Sequence, residues 1–139
     1  MPRILAIDDD ENVRDILRRM LSRRGYDVLL ADNGKEGIRI FRQQAEQGDP
    51  IDLVVTDILM PEKEGLETIR ELRQGFPQVK IIVMSGGGGL GEPGNILNAA
   101  RKLGASYSFQ KPIARDDFLA TVRQLVGPGA ERSSSGDSD

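Results

Sequence analysis

The run IDLVVTDILMPEKEG, Ile51 to Gly65, is apolar until it reaches a carboxylate at Asp57 and then turns. Aliphatic side chains fill most positions before Asp57, which is typical of a strand buried on both faces of a parallel sheet. Pro61 and Gly65 then shape a loop before the next helix. Asp57 either caps that helix or serves as a functional carboxylate, because open parallel sheets hold their ligands at the carboxyl ends of the strands.

Three other predicted strands also end in polar groups that suit a common site. They are Asp8 and Asp9 after the strand 4–7, Ser85 after 79–84, and Lys111 after 106–110. The carboxyl ends of parallel strands meet at one edge of the sheet, so these side chains are expected to converge on Asp57. This convergence favours a functional interpretation of Asp57 over a helix cap.

The composition restricts the chemistry of that site. The 139 residues include no cysteine and no histidine, which excludes thiolate chemistry and removes the commonest metal ligand and general base. A metal ion, if one binds, must therefore use oxygen ligands. The formal net charge of −3 and the pI near 5.1 provide no electrostatic footprint for nucleic acid.

Length and hydropathy predict one domain away from membranes. A chain of 139 residues can bury a core without disulfides. The start MPRILAIDDD has too short an apolar run for a signal peptide, and no run approaches the length of a membrane span. We therefore expect a cytoplasmic protein that contacts neither membranes nor nucleic acid.

Apolar periodicity predicts five strands that alternate with five helices. The predicted strands cover residues 4–7, 26–31, 51–57, 79–84 and 106–110, with amphipathic helices between them and after the last. This alternation predicts a three-layer α/β fold, a doubly wound five-stranded parallel sheet in the flavodoxin-like order 2-1-3-4-5. The domain is expected to span 1–126, and GPGAERSSSGDSD, 127–139, is expected to be a disordered polar tail.

The predicted strand order suggests a phosphoryl-transfer chemistry. Asp8 and Asp9 would lie on one side of Asp57 and Ser85 on the other, about 4.8 Å from strand to strand. Carboxylates at that spacing repel one another, so either one takes a proton or a cation lies among them, and Mg²⁺ suits oxygen ligands. With Lys111 and Mg²⁺ offsetting charge and Ser85 donating a hydrogen bond, Asp57 can act as an in-line nucleophile towards a phosphoryl group.

The motifs at these strand ends resemble the receiver domain of bacterial two-component response regulators, over about residues 2–126. The matching motifs are LAIDDDENVR with Asp8 and Asp9, DILMPEKEG with Asp57, Pro61 and Gly65, VMSG with Ser85, and QKP with Lys111. They occur in the order and at the spacing of that family. As a set they identify the family far more specifically than any single motif does.

The resemblance assigns roles to individual residues. It implies that Asp57 is the phosphoacceptor, that Asp9 is a direct Mg²⁺ ligand, and that Asp8 is a nearer or water-mediated one. Leu59 would supply a backbone carbonyl to the same ion. By the same resemblance, Ser85 and Lys111 are the signalling hydroxyl and lysine, and the peptide between Lys111 and Pro112 is expected to be cis.

The chain departs from the family pattern at two places. Many receivers carry Tyr or Phe three residues before the lysine as a rotameric switch, whereas this chain has Ser108 there, between Tyr107 and Phe109. The loop Gly86–Gly94 is longer and richer in glycine than is typical. It lacks the Lys-Ser or Lys-Thr ending of a phosphate-binding loop. We therefore expect signalling to reorder this loop and its helix rather than to move one ring.

Only thirteen polar residues follow the last predicted helix, too few for a DNA-binding or catalytic domain, so we expect a stand-alone regulator of the chemotaxis type that signals rather than acting as an enzyme. Its phosphoryl group would come from a sensor histidine kinase or a histidine phosphotransfer protein. Its output would be a downstream protein partner or a phosphorelay, and it would be a monomer or a weak, phosphorylation-dependent homodimer.

Two other functions remain open at this stage. An aspartyl-phosphate hydrolase of the haloacid dehalogenase type would want a second Asp two residues after the nucleophile, where this chain has Leu59. A flavin or nucleotide carrier on the same topology would want Gly, Ser or Thr after the first strand. The acidic DDDEN found there would repel a phosphate unless a metal intervened.

Overall fold

The computed structural model describes residues 2–58, 64–85 and 100–129 of the chain. The strands are β1 Arg3–Ile7, β2 Asp27–Ala31, β3 Leu53–Asp57, β4 Lys80–Ser85 and β5 Tyr107–Gln110. The helices are α1 Glu11–Arg23, α2 Gly34–Glu46, α3 Glu64–Gly75 and α4 Arg115–Val126. Residues 100–102 are also helical. The rest of the helix predicted between the fourth and fifth strands lies outside the described residues, as do Leu59, Pro61 and the loop Gly86–Gly94.

The five strands form one parallel sheet in the order β2-β1-β3-β4-β5. This is the predicted doubly wound order, so the fold prediction is confirmed. The order reverses direction between β1 and β3, which is the place where such sheets open a crevice at the carboxyl ends of the strands. β2 and β5 lie at the two edges of the sheet, and the polar and apolar residues of β5 alternate, as is typical of an edge strand.

Alternate residues of the central strands face two separate apolar layers, which is why these strands are apolar throughout. One layer packs against α2 and α3 and includes Leu5, Val54, Ile81, Phe41 and Leu72. The other packs against α1 and α4 and includes Ile4, Leu53, Met84, Leu17 and Phe118. Burying one such side chain stabilises the fold by about 1.5–3 kcal/mol. The two layers therefore hold the sheet rigidly between the helices.

Polar side chains fix where the first two helices begin. The Asp10 side chain accepts a hydrogen bond from the Asn12 N–H at 2.9 Å and caps α1. Asn33 caps α2 in the same way by accepting from the Glu36 N–H at 2.8 Å. A side-chain cap stabilises a helix by roughly 1 kcal/mol. Asp10 therefore belongs to the helix start, and Asp8 and Asp9 remain the acidic residues available to a ligand.

The segment after α4 packs against the turn between α1 and β2. The hydroxyl of buried Tyr26 donates a hydrogen bond to the Gly127 carbonyl at 2.6 Å. A Cβ on Gly129 would collide with the backbone of Arg24 and Gly25, so only glycine fits there without a shift. Residues 127–129 thus contact the domain, whereas the rest of the predicted tail, 130–139, lies outside the described residues.

Candidate phosphoacceptor site

Three neighbouring strands deliver polar side chains to one edge of the sheet. Asp57 and Ser85 are the last residues of β3 and β4, and Asp8 follows β1 directly. The register pairs Ile7 with Thr56 and Asp57 with Met84. Asp8, Asp57 and Ser85 therefore stand at nearly the same height on adjacent strands.

Lys111 reaches this edge from β5. Its backbone N–H donates to the Ser85 carbonyl at 2.7 Å, so the chain stays paired with β4 up to the lysine. The Lys111–Pro112 peptide is cis, which confirms the expectation from the family resemblance. The ammonium Nζ lies 2.9 Å from Asp8 Oδ2 and 3.1 Å from Asp57 Oδ2. Lys111 thus bridges two carboxylates instead of pairing with one.

Asp8, Asp9 and Asp57 form a compact carboxylate cluster. One oxygen from each lies within 4.8 Å of the other two. Asp8 is fully buried and Asp57 is 6% exposed, whereas Asp9 is exposed. In the described part of the chain, no side chain or backbone group bonds to the Asp9 carboxylate, while Asp8 Oδ1 accepts from the Asp10 N–H at 2.9 Å. Two carboxylates of the cluster, Asp8 and Asp57, are therefore fixed by hydrogen bonds, and the third, Asp9, faces solvent.

Burial and charge shift the ionisation of this cluster in opposite ways. Burial raises the pKa of Asp8 above its usual range, and the hydrogen bond from Lys111 reverses only part of that rise. Burial acts to lower the pKa of Lys111, but the hydrogen bond to Asp8 and the charge of Asp57 outweigh it and raise that pKa. At neutral pH the lysine is therefore a fixed positive charge between acidic oxygens.

The predicted site residues are found together where the structure describes them. Asp8, Asp9, Asp57 and Lys111 share direct contacts or the same cluster, and Ser85 is fully buried at the end of the neighbouring strand. Leu59 lies outside the described residues, so its carbonyl remains a prediction. Clustered oxygen atoms with one exposed carboxylate match the ligands that Mg²⁺ prefers.

Two further residues support the site and were not assigned these contacts from the sequence. Arg14 in α1 donates from Nη1 to the Asp8 carbonyl oxygen at 2.7 Å. Gly65 at the start of α3 packs so closely that a Cβ would lie 2.7 Å from the Ile58 oxygen and 2.8 Å from the Asp57 oxygen. For Gly65, the sequence indicated only a loop-shaping role. For Arg14, a basic residue one turn into the helix after the acidic loop was the only available signal.

Comparison with protein families places the chain among proteins with this type of site. Residues 4–123 match the response regulator receiver domain. The chain belongs to that family, whose members act as phosphoacceptors in two-component signalling and bind Mg²⁺ at an acidic cluster. Among the described helices, none is long and apolar enough to cross a membrane.

Curated and solved relatives agree with this membership. The chain is 38% identical over 124 residues to response regulator MprA of Mycobacterium leprae (strain TN), covering 89% of this chain and 50% of that protein. It therefore spans about half the length of the curated relatives it matches.

Among solved structures, the chain is similar to a receiver domain protein from Clostridium thermocellum, with a TM-score of 0.77 and 29% identity over 91% of this chain and 94% of the other. It is also similar to response regulator TrrA from Thermotoga maritima, which was solved in complex with Mg²⁺ and BeF. That match has a TM-score of 0.74 and 29% identity, and it covers 91% of this chain and all of the other.

Proposed function

We propose that Asp57 accepts a phosphoryl group from the phosphohistidine of a sensor histidine kinase or phosphotransfer protein, in a reaction that depends on Mg²⁺. The observation that carries this proposal is the carboxylate cluster of Asp8, Asp9 and Asp57 with the Lys111 ammonium 3.1 Å from Asp57. Asp57 has the position of a nucleophile because it lies at the carboxyl end of a central strand.

The proposed step exchanges one bond to phosphorus for another. An Asp57 carboxylate oxygen attacks phosphorus, the P–N bond to the donor imidazole breaks, and the electron pair of that bond leaves with the imidazole. Asp57 needs no general base because a carboxylate is already a nucleophile, so the absence of histidine from the chain is no obstacle. Lys111 offsets charge on the phosphoryl oxygens, and the Ser85 hydroxyl donates a hydrogen bond to one of them.

The ligands proposed for Mg²⁺ are Asp9, Asp57 and the Leu59 carbonyl, with Asp8 a closer or water-mediated partner. The all-oxygen donor set and the 4.8 Å separation within the cluster support this assignment. Bound Mg²⁺ would supply positive charge to the phosphoryl oxygens. Asp9 suits direct ligation because its carboxylate faces solvent and, within the described residues, is not held by another protein group.

The remaining functional proposals concern output. We propose that the chain signals through a protein partner or a relay, as a monomer or weak dimer. We also propose that it is not an enzyme in the usual sense, because it promotes only its own phosphorylation and the slow loss of that phosphoryl group. A receiver domain of residues 1–126, a polar tail of residues 127–139, a cytoplasmic location and the lack of nucleic-acid contact stay predictions from the sequence. The net charge of −3 supports the last of these.

Intact mass spectrometry tests the phosphoacceptor assignment. After incubation with a small acyl-phosphate donor and Mg²⁺, the chain should gain one phosphoryl group that is lost in base. Asp57→Asn should abolish the gain, and chelation of Mg²⁺ should suppress it. Asp52→Asn is the matched control, because Asp52 lies just before β3, at the opposite end of that strand. An Asp57→Asn protein labelled as fully as the unmodified chain would refute the assignment.

A further inference from the structure

Arg14 makes a contact that the proposed reaction does not use. It lies one turn into α1, and its half-buried side chain folds back towards the start of the helix, as helical side chains do. Nη1 donates to the Asp8 carbonyl oxygen at 2.7 Å. Other basic residues of α1 serve a different role, since Arg18 and Arg19 form exposed ion pairs with Asp15 at 2.8 and 2.9 Å.

The contact holds the backbone between two acidic residues of the site. The Asp8 N–H still donates to the Ala31 carbonyl of β2 at 3.1 Å, but the chain leaves the sheet at the next peptide. The Asp8 carbonyl belongs to the peptide that joins Asp8 to Asp9, and a buried carbonyl needs a donor. Arg14 supplies that donor and so fixes the plane from which the Asp9 side chain departs.

Asp9 depends on this backbone more than its neighbours do. Asp8 is held by the Asp10 N–H and by Lys111, whereas no described protein group bonds to the Asp9 carboxylate. The direction of the Asp9 Cα–Cβ bond, from which its carboxylate reaches the cluster, is therefore set by the backbone at its own Cα. Groups that orient a metal ligand typically affect metal affinity even though they do not touch the metal.

We propose that Arg14 is a positioning residue for the cation site, acting through the Asp8 carbonyl to hold Asp9 in its ligating direction. The inference rests on the proposed function only in taking Asp9 as a cation ligand. Charge alone predicts the opposite effect, because a guanidinium near the cluster repels a divalent cation. The sign of the change on removing Arg14 therefore distinguishes positioning from simple electrostatics.

The test is a calorimetric Mg²⁺ titration of the full chain and of Arg14→Met. Positioning predicts that Arg14→Met binds Mg²⁺ about tenfold more weakly, at the lower end of the loss seen when a ligand's supporting partner is removed. The matched control is Arg18→Met, which removes the same charge from the same helix, and Asp15 keeps its ion pair with Arg19. Its affinity should equal that of the unmodified chain or be slightly higher.

The measurement separates positioning from a loss of stability. Affinity is measured where each variant is fully folded, so a general destabilisation leaves it unchanged. Amide NMR shifts of residues 8–12 should change in Arg14→Met without metal, and they should stay in place in Arg18→Met. If Arg14→Met does not fold, Arg14→Gln removes the same charge with a shorter side chain and is expected to lose affinity in the same direction.

The outcomes are distinct for the two proposals. An Arg14→Met protein that binds Mg²⁺ as tightly as the unmodified chain, or more tightly, overturns the positioning role alone. An unmodified chain that does not bind Mg²⁺ overturns the proposed cation site and the inference with it. Failure of Asp57 to be phosphorylated, with the predicted loss of affinity in Arg14→Met, would refute the proposed reaction and leave the role of Arg14 intact.

Discussion

Replacing Lys111 with methionine should destabilise the protein because the lysine is the counter-charge of two acidic residues. Methionine keeps most of the length and apolar volume of the side chain and removes the ammonium. In the unmodified chain that ammonium lies 2.9 Å from Asp8 and 3.1 Å from Asp57. Without it, the carboxylate cluster is left with less compensating charge, and its members repel one another.

The expected loss follows from the distances and the burial. Two unit charges 2.9 Å apart attract by about 6 kcal/mol at an effective dielectric constant near 20. The desolvation of both groups opposes this attraction, and removing one partner of a fully buried pair costs about 3–5 kcal/mol. The Lys111 side chain is 21% exposed, so water can partly replace it. We therefore expect the free energy of unfolding to fall by about 2–3 kcal/mol at neutral pH in the absence of Mg²⁺.

Urea unfolding followed by circular dichroism measures this loss. Lys102→Met is the control, because Lys102 is exposed and its removal changes the net charge equally. Its effect should stay within about 0.5 kcal/mol. The Lys111→Met deficit should shrink on adding Mg²⁺, which supplies the missing charge.

The deficit should also respond to pH. Burial already raises the pKa of Asp8, and losing the Lys111 hydrogen bond raises it further. The folded variant therefore takes up a proton more readily than the unfolded chain, so the deficit should shrink as the pH falls from neutral through the folded pKa of Asp8.

A second substitution tests whether repulsion is the cause. Asp8→Asn in the Lys111→Met background removes one of the uncompensated charges and should recover more than half of the lost stability. If the double variant is no more stable than Lys111→Met, repulsion among the carboxylates is not the source of the loss. An equal effect of Lys111→Met and Lys102→Met would also refute the reasoning.

Two further substitutions test contacts next to the site and at the end of the domain. Gly65→Ala should cost about 1–3 kcal/mol in urea unfolding, because its Cβ would lie 2.5 Å from Ile58 Cα. Gly75→Ala, where a Cβ meets nothing within 4 Å, should cost nothing, and equal losses in both would contradict this packing argument. Tyr26→Phe should cost about 1 kcal/mol through the lost hydrogen bond to Gly127. Burial raises the pKa of Tyr26, so the folded state favours the neutral phenol. The stabilisation that the neutral phenol gives the folded state is present below about pH 10 and is lost as the pH rises through the folded pKa. Above that pH, the free energy of unfolding should therefore fall less in Tyr26→Phe than in the unmodified chain. If the two proteins lose stability in parallel as the pH rises, ionisation of Tyr26 is not the cause of the loss.

The sequence by itself determined the architecture and most of the site. Apolar runs ending at Asp57 and Ser85 predicted buried parallel strands, and the alternation with helices predicted their order. These features are local in the chain, because the burial of a strand can be recognised from the apolar residues of that strand alone. The convergence of the acidic residues then followed from topology alone, because parallel strands place their carboxyl ends together.

Only the tertiary structure decided which atoms meet at that edge. Lys111 contacts Asp8 as well as Asp57, across separations of 103 and 54 residues, and Tyr26 bonds to Gly127 across 101. Such contacts depend on side-chain rotamers and on the packing of helices against the sheet, and neither leaves a periodic signal in the sequence. The contact of Arg14 with the Asp8 carbonyl spans only six residues, yet it too depends on how the chain turns from β1 into α1. In the sequence, Arg14 is one of several arginines on a helix, and only the fold shows that it supports the acidic loop.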